Sequence, residues 1–175
     1  MKMEEDVSAE KLFFLLKKIS LTLTPQLEEH LKTGDMSGVQ VYFLVYILRH
    51  HPKGTYLTEL YHETGVSKPT LSALIKKMAE KEYLSFHADT DDVRKKKVLP
   101  TEKLVKEGKE FIERAGQMES ELWKGLEIQE KNQLWDIDRK LLTQLTEMGR
   151  EDKTRQEDLY HEKSFTAAQA VEKGQ

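Results

Sequence analysis

The residues with the clearest chemistry in this sequence are two groups of cations in its middle third. One is Arg94-Lys95-Lys96-Lys97, four consecutive positive charges that follow a short acidic turn. The other is a segment that starts at Ser67-Lys68-Pro69-Thr70 and carries Lys76 and Lys77 further along. Clustered lysine and arginine side chains neutralise phosphates, so the pattern indicates a nucleic-acid partner.

The charge of the 175-residue chain is distributed unevenly. The net charge is −3, yet residues 68–103 hold nine Lys and Arg against six Asp and Glu, a local excess of +3. The segments on either side are acidic, with net charges of −2 for residues 1–67 and −4 for residues 104–175. Because DNA responds to local potential as well as to net charge, a basic segment on an acidic body can still dock.

Hydrophobic periodicity predicts the elements that must position these cations. A short helix over residues 58–64, a turn at Gly65-Val66-Ser67 and a second helix over residues 68–81 form a helix–turn–helix. Two strands, at residues 83–88 and 96–99, are joined by a polar tip and form a hairpin. We expect the small core of the helix pair to contain Leu57, Leu60, Val66, Leu71 and Leu74.

A helix–turn–helix followed by a basic hairpin predicts a winged helix that binds DNA. Small and cationic residues would face the major groove: Ser67, Lys68, Pro69, Thr70, Ser72, Ala73, Lys76 and Lys77. Lys68 and Thr70 lie at the amino end, where base edges are read, while Lys76 and Lys77 are placed for phosphates. The predicted wing residues are Asp92, Arg94, Lys95 and Lys96, with Arg94 entering the minor groove and Asp92 orienting it.

Helices flank this module on both sides. Ser8, Ser37 and Thr101 have the positions of helix N-caps, and the spacing from Ser37 to Gln40 is that of a capping box. Within the first helix Pro25 is expected to kink or split the segment. The last core helix is expected to stop at Gly149. We therefore divide the chain into a dimerisation helix at 1–34, a winged helix at 35–101, dimerisation helices at 102–149 and a charged extension at 150–175.

The predicted fold class is mainly α with a small β-hairpin wing, and the terminal helices form a dimerisation lobe. Their apolar stripes have no partner within so small a module, so pairing across a two-fold axis would bury them. Cysteine is absent and no apolar stretch is long enough to span a bilayer. With no signal-like amino terminus, we expect a cytoplasmic protein.

The sequence contains no motif of an enzyme and no pattern that calls for a cofactor. A phosphate-cradling glycine loop, a Gly-x-Ser-x-Gly turn and a cysteine nucleophile are all missing. His50 and His51 are adjacent, so their side chains would point apart on a helix end, and the six histidines lack the spacing of zinc ligands. We expect neither catalysis nor a bound metal.

The region of residues 37–104 resembles the MarR family of bacterial regulators. Four motifs carry the resemblance, and they align without a gap from residue 57 to residue 101. These are Leu57-Thr58-Glu59-Leu60 at a helix start, Gly65-Val66-Ser67 at the turn, Ser67-Lys68-Pro69-Thr70 at the recognition helix, and Asp92-Val93-Arg94 followed by Val98-Leu99-Pro100-Thr101 in the wing. The sequence departs from the family pattern at Glu82 and Leu104, where glycine is usual, at Phe86, where arginine is common, and at Pro100, where leucine is usual.

The resemblance implies a homodimer that binds a palindromic operator and acts as a repressor or an activator. It also implies an effector site between the dimerisation and DNA-binding lobes, for which many relatives take aromatic acids. Candidate lining residues are Phe13, Phe14, His30, Tyr42, Tyr46 and Arg49, although a place in the core is the favoured interpretation for each aromatic among them. Two further interpretations remain open, a winged-helix module for protein interaction and a metal-responsive regulator.

Overall fold

The computed structural model describes residues 7–89, 91–92 and 95–172, with side chains described as far as residue 150. The chain divides into two compact units, residues 1–124 and residues 125–175. The first contains five helices and a three-stranded sheet among its described residues, which confirms the predicted mainly α fold class. In chain order its elements are α1 Ala9–Leu31, α2 Gly38–His50, β1 Thr55–Tyr56, α3 Leu57–Thr64, α4 Lys68–Glu80, β2 Leu84–Ala88, β3 Lys96–Pro100 and α5 Glu102–Trp123.

Hydroxyl side chains begin four of the helices. The side chains of Ser8, Ser37, Ser67 and Thr101 each accept a hydrogen bond from the backbone amide three residues later, over 3.2 to 3.4 Å. At Ser37 the capping box is complete, because the Ser37 amide donates to Gln40 Oε1 over 3.0 Å. Each cap satisfies an amide that has no partner inside its helix, so the predicted helix starts are confirmed.

Helix α1 runs through Pro25 without a break, so the expectation that this residue splits the segment is wrong. A proline removes one intrahelical hydrogen bond, which the remaining ladder of a 23-residue helix tolerates. The helix ends just before Gly34, whose φ of +58° turns the chain. The carboxyl end of α1 and the start of α2 then approach closely: the Gly38 amide donates to Glu28 Oε1 over 2.7 Å, and a Cβ on Gly38 would lie 2.0 Å from the Leu27 carbonyl oxygen.

The core of the first unit lies between α2, α3, α4, α5 and the sheet. Leu60 and Leu71 are fully buried, and Leu57 and Leu74 pack against the core as half-buried residues. Val66 is 36% exposed, so its predicted place in the core is wrong. It follows Gly65, the left-handed cap of α3, in a turn that leads out toward solvent. The largest fully buried side chains are Phe111, Leu31, Leu44, Ile47, Leu60, Leu71, Ile75, Met78, Leu104, Val41, Val45 and Val98.

The sheet has the order β1-β3-β2 and is antiparallel throughout. The predicted hairpin forms, with Leu84 opposite Pro100 and Ala88 opposite Lys96. Strand β1, which the sequence analysis missed, pairs its Thr55 with Val98 on the other edge of β3. The base of the hairpin is therefore held by the segment that connects α2 to α3.

The described residues of the second unit form one helix, α6 Ile128–Glu172. It continues through Gly149, so the predicted stop at that residue is wrong. A glycine ends a helix when it takes a left-handed conformation, and Gly149 does not have a positive φ. In the interior of a helix a glycine costs about 1 kcal/mol relative to alanine, which is small for a helix of 45 residues. The predicted stripe on this helix is exposed in the single chain: Leu134, Ile137, Leu141, Leu142 and Leu145.

Candidate nucleic-acid interface

A tight turn sets the direction of α4. Gly65 ends α3 with a φ of +68°, and its amide donates to the Tyr61 carbonyl oxygen over 3.0 Å. Ser67 then begins α4, and its hydroxyl lies 2.8 Å from the hydroxyl of Thr70. Pro69 occupies the first turn, where the missing amide costs little. The helix that the sequence predicts for recognition therefore starts where its hydroxyl cap places it.

Helix α4 has one buried side and one exposed side. Leu71, Ile75 and Met78 are buried in the core. All eight side chains that we predicted to face a major groove are exposed: Ser67, Lys68, Pro69, Thr70, Ser72, Ala73, Lys76 and Lys77. The exposed side therefore presents small and hydroxyl-bearing residues between lysines, a surface on which a nucleic-acid backbone or base edge meets no bulky obstacle.

The cations of the wing divide between the two faces of the hairpin. Lys95 and Lys96 line the groove toward α4, whereas the Cε atom of Lys97 lies on the Gly54 side, 2.9 Å from where a Cβ of Gly54 would be. Alternation along β3 gives this separation. Arg94, the predicted tip residue, lies outside the described residues, so its insertion and its pairing with Asp92 stay predictions.

A groove of about 720 Å³ separates α4 from the wing. Its lining combines three cations with aromatic and apolar side chains: Lys76, Lys95, Lys96, Tyr56, Phe86, Leu57, Ile75 and Val98, with Thr58, Glu59, Ser72 and Asp89. Among the described residues none of the three lysines forms an ion pair. Their charge is therefore available to an anion that enters the groove.

The two carboxylates of this groove are occupied by neighbouring donors. Glu59 Oε2 accepts from the Thr55 hydroxyl over 2.7 Å and from the Tyr56 amide over 3.1 Å. The Tyr56 hydroxyl donates to Asp89 Oδ2 in a short hydrogen bond. These bonds hold the pKa of Glu59 and the pKa of Asp89 below their usual values, the Thr55 and Tyr56 hydroxyls being the main causes. Both carboxylates thus stay ionised while pointing at protein donors.

The two strands of the wing form despite the four departures from the family pattern. Glu82 adopts a φ of +63°, so the chain keeps the left-handed turn after α4 without a glycine. Phe86 is 46% exposed and faces the groove, where it adds apolar surface in place of a cation. Pro100 ends β3, and Leu104 is fully buried at the start of α5.

A set of polar contacts joins the end of α4 to α5, and the sequence did not predict it. The Lys81 ammonium forms a short ion pair with Asp35, and Lys103 Nζ donates to the Lys81 carbonyl oxygen over 3.0 Å. The Tyr83 hydroxyl donates to Glu107 Oε2 over 2.6 Å. Burial, together with that hydrogen bond, raises the pKa of Tyr83 to about 12. The two lysine contacts join residues that are 22 and 46 positions apart, so no local pattern in the sequence predicts them.

A second cavity, of about 640 Å³, lies between α1, α2 and α5. Of the candidate effector residues, His30 and Tyr42 line it. Phe13 is 64% exposed and Phe14 69% exposed on α1, and neither lines the cavity. The full lining is Leu23, Gln26, Leu27, His30, Tyr42, Met118, Glu121, Leu122 and Trp123, and sequence reasoning missed the α5 members.

The other two candidate effector residues, Tyr46 and Arg49, contact neighbouring helices. The Arg49 guanidinium donates from Nη1 to both carboxylate oxygens of Glu119, over 2.7 and 3.0 Å, which links α2 to α5. The Tyr46 hydroxyl donates to Glu63 Oε2 over 2.7 Å and links α2 to α3. His51 Nε2 lies 2.6 Å from the same Glu63 oxygen. These residues tie the helices together instead of facing the cavity.

Histidines on α2 lie beside this network. The His50 ring packs against Tyr46 with 4.6 Å between ring centroids. Within the part of the chain that the structure describes, no group of three or more His, Asp or Glu side chains is arranged to hold a metal ion. Among the same residues, no helix is long and apolar enough to cross a membrane.

Fold and surface together define a winged-helix protein whose recognition helix lies beside a groove lined by lysines. Residues 34–95 match the family model described as MarR family, the segment that contains the helix–turn–helix and most of the wing. This match over about a third of the chain agrees with the resemblance drawn from the motifs.

Solved structures share the fold at low sequence identity. The MarR transcription regulator of Oenococcus oeni is 23% identical, with a TM-score of 0.67 over 75% of this chain and 98% of that one. The Staphylococcus aureus MepR–DNA complex is 23% identical, with a TM-score of 0.64 over 77% and 97%. Bordetella bronchiseptica BpsR is 17% identical, with a TM-score of 0.62 over 81% and 97%. Among curated proteins, none is significantly similar in sequence.

Proposed function

We propose that this protein is a sequence-specific DNA-binding transcriptional regulator. The observation that carries the proposal is the exposed side of α4, which faces solvent beside a groove lined by Lys76, Lys95 and Lys96. The proposal has α4 in the major groove, where Lys68 and Thr70 read base edges and Lys76 and Lys77 contact phosphates. The wing enters the adjacent minor groove with Arg94 at its tip. The fold shared with MepR, whose structure includes DNA, supports this docking.

The functional unit in this proposal is a homodimer on a palindromic operator. Helix α1 exposes large apolar side chains in the single chain: Leu12, Leu15, Leu16, Ile19 and Leu23. Helix α6 exposes its own stripe, which contains Leu134, Ile137 and Leu141. Exposed apolar side chains in such number mark an interaction surface. A second copy with the same surfaces buries both sets and repeats α4 at a fixed spacing along the duplex.

A small molecule that enters the cavity between α1, α2 and α5 would regulate DNA binding. The cavity joins α1, which we assign to the dimer contacts, to α2 and α5, which pack around the DNA-binding core. A ligand that prefers one arrangement of these helices therefore shifts the spacing of the two α4 helices. The fold shared with BpsR, whose DNA binding is regulated by 6-hydroxynicotinic acid, supports this proposal.

The test is selection of bound duplexes from a random pool, followed by gel-shift titration at several salt concentrations. We expect a palindrome, and we expect Lys76→Ala to lower the slope of log affinity against log salt by about 0.9, the loss of one phosphate contact. Lys106→Ala, an exposed lysine on α5, is the control with an unchanged slope. Failure to enrich any sequence would refute DNA binding and favour the protein-interaction module.

A further inference from the structure

The cavity between α1, α2 and α5 has a lining whose polar atoms are mostly hydrogen-bond acceptors. Its walls are apolar, formed by Leu23, Leu27, Met118, Leu122 and Trp123. Its polar members are Gln26, His30, Tyr42 and Glu121, and no Lys or Arg is found among the described residues that line it. The groove beside α4, in contrast, is lined by three lysines. The two concave sites of the first unit are thus suited to ligands of different charge.

Hydrogen bonds within the protein already use the Tyr42 and His30 donors of this cavity. The Tyr42 hydroxyl gives its proton to Glu119 Oε1 over 2.7 Å. His30 Nδ1 lies 2.9 Å from the Gln26 carbonyl oxygen, an arrangement in which Nδ1–H donates and Nε2 is left as an acceptor in the neutral ring. Burial raises the pKa of Tyr42 to about 12, with Glu119 adding to the shift, so the hydroxyl keeps its proton. A ligand therefore meets lone pairs more often than N–H or O–H groups.

The arginines nearest the lining are held by other partners. Arg49 is paired with Glu119, and the Arg114 guanidinium donates to carbonyl oxygens at the end of α1. Glu121 pairs with Lys124 over 2.6 Å, but both side chains are more than 70% exposed. An ion pair so exposed contributes little, about 0–1 kcal/mol, so Lys124 yields readily to a better-placed cation.

We propose that this cavity binds an apolar cation, an amine or quaternary ammonium on an aromatic or branched aliphatic body, in preference to an aromatic acid. The ammonium group would lie near Glu121 and the rings of Trp123 and Tyr42, whose π faces attract cations. The body of the ligand would fill the space between the leucines. A carboxylate in the same place would lose its hydration and lie beside the charge of Glu121, and no described Lys or Arg lines the cavity to offset that cost. The inference rests on the proposed function, because it names the effector class of that regulatory site.

Three probes of similar shape but different charge distinguish the contribution of charge to binding from that of apolar burial. We would titrate the full-length protein by calorimetry with 4-tert-butylbenzyltrimethylammonium, 4-tert-butylbenzyl alcohol and 4-tert-butylbenzoate. We expect the ammonium to bind at least tenfold more tightly than the benzoate, with the neutral alcohol between them. Benzoate binding as tight as that of the alcohol would overturn the proposal, and so would the absence of saturable binding by all three.

A charge-neutral substitution locates the site. Glu121→Gln is expected to weaken ammonium binding about fivefold and to leave the alcohol unaffected. Glu113→Gln, an exposed residue on α5 outside the lining, is the matched control and is expected to change neither. Equal ammonium affinity in both variants would place binding elsewhere and refute the assignment. Gel shifts of the same preparations without ligand test DNA binding separately, so that loss of the ligand proposal and loss of the proposed function give different results.

Discussion

The guanidinium of Arg114 on α5 caps the carboxyl end of α1 at the His30 carbonyl. Its Nε and Nη2 atoms donate to the His30 carbonyl oxygen over 2.9 and 2.7 Å. Nη2 also reaches the Lys32 carbonyl oxygen, and Nη1 donates to the Thr33 hydroxyl over 2.8 Å. The last carbonyls of a helix lack intrahelical donors and lie at its negative dipole end, where a cation is favourable. One side chain therefore fixes where α1 ends and joins that end to α5.

Replacing Arg114 should destabilise the first unit. Arg114→Met keeps most of the aliphatic stem but removes every donor from the end of α1, and we expect a loss of about 2 kcal/mol in the free energy of unfolding. Urea denaturation followed by circular dichroism measures the change. Lys109→Met, an exposed position on the same helix, should change the stability by less than about 0.5 kcal/mol. Similar values for the two variants would show that the contacts to α1 contribute nothing beyond surface chemistry.

Glu82 is a position where glycine should stabilise the protein. Its φ of +63° costs an L-residue about 1–2 kcal/mol, whereas glycine adopts it freely and pays about 0.5–1 kcal/mol in chain entropy. We therefore expect Glu82→Gly to raise the free energy of unfolding by about 0.5–1 kcal/mol. Glu80→Gly, two residues earlier at the end of α4, should lower it by a similar amount because the backbone there is helical. Thermal unfolding of the two variants measures both changes in stability. A destabilised Glu82→Gly variant would contradict the strain argument.

Alkaline pH should weaken the fold through its tyrosines. Burial raises the pKa of Tyr42, Tyr46 and Tyr83 to about 12 from an ordinary value near 10, because each hydroxyl is partly buried and donates to a carboxylate. The folded state thus holds these protons more tightly than the unfolded state does. Their contribution to stability is fully present below pH 10 and is lost as the pH rises through about 12.

The test of this linkage is a series of urea titrations between pH 8 and pH 11.5. The wild-type free energy of unfolding should fall with pH above 10, and Tyr42→Phe should make that fall shallower because one linked proton is gone. Between pH 8 and pH 9 the two proteins should show the same pH slope. An identical slope above pH 10 would show that Tyr42 does not take part in the linkage.

Adjacent lysines of the wing should differ in their effect on DNA binding. Lys96 lines the groove toward α4, whereas Lys97 lies on the Gly54 side of the sheet. Given the proposed function, Lys96→Ala should lower the salt slope of operator binding by about 0.9, and Lys97→Ala should leave it nearly unchanged. Fluorescence anisotropy at four salt concentrations resolves the two slopes. Equal losses would mean that both faces of the hairpin contact the duplex.

Much of the fold was predictable because its signals are local. Ser37 and Gln40 cap the same turn, and Ser67 precedes a helix whose Leu71 and Ile75 recur on one side, so four or five residues carry each assignment. The exposed side of α4 follows from the same periodicity, since whatever does not face the core faces solvent. These parts of the candidate interface depend on spacing within one element.

The unpredicted parts depend on contacts between distant residues. Arg114 meets His30 across 84 positions, and Thr55 in β1 is recruited to β3 by a pairing that two residues alone cannot specify. Gly149 was misread because glycine both ends helices and occurs inside them, and the choice depends on φ. Of the nine described residues that line the cavity, the sequence predicted only His30 and Tyr42, which are aromatic or titratable on helices with clear caps. Trp123 on α5 is brought to them only by folding.

Because β3 is paired on both edges, the wing loses less conformational entropy when a ligand binds. Strand β3 lies between β1 and β2, so the base of the wing is ordered before any ligand arrives. Freezing the backbone of a free residue costs about 1–2 kcal/mol, and residues already held in a sheet do not incur that cost on association. The pairing of Thr55 and Tyr56 with β3 thus preorganises the wing, and this benefit to affinity does not depend on direct contacts of β1 with the ligand.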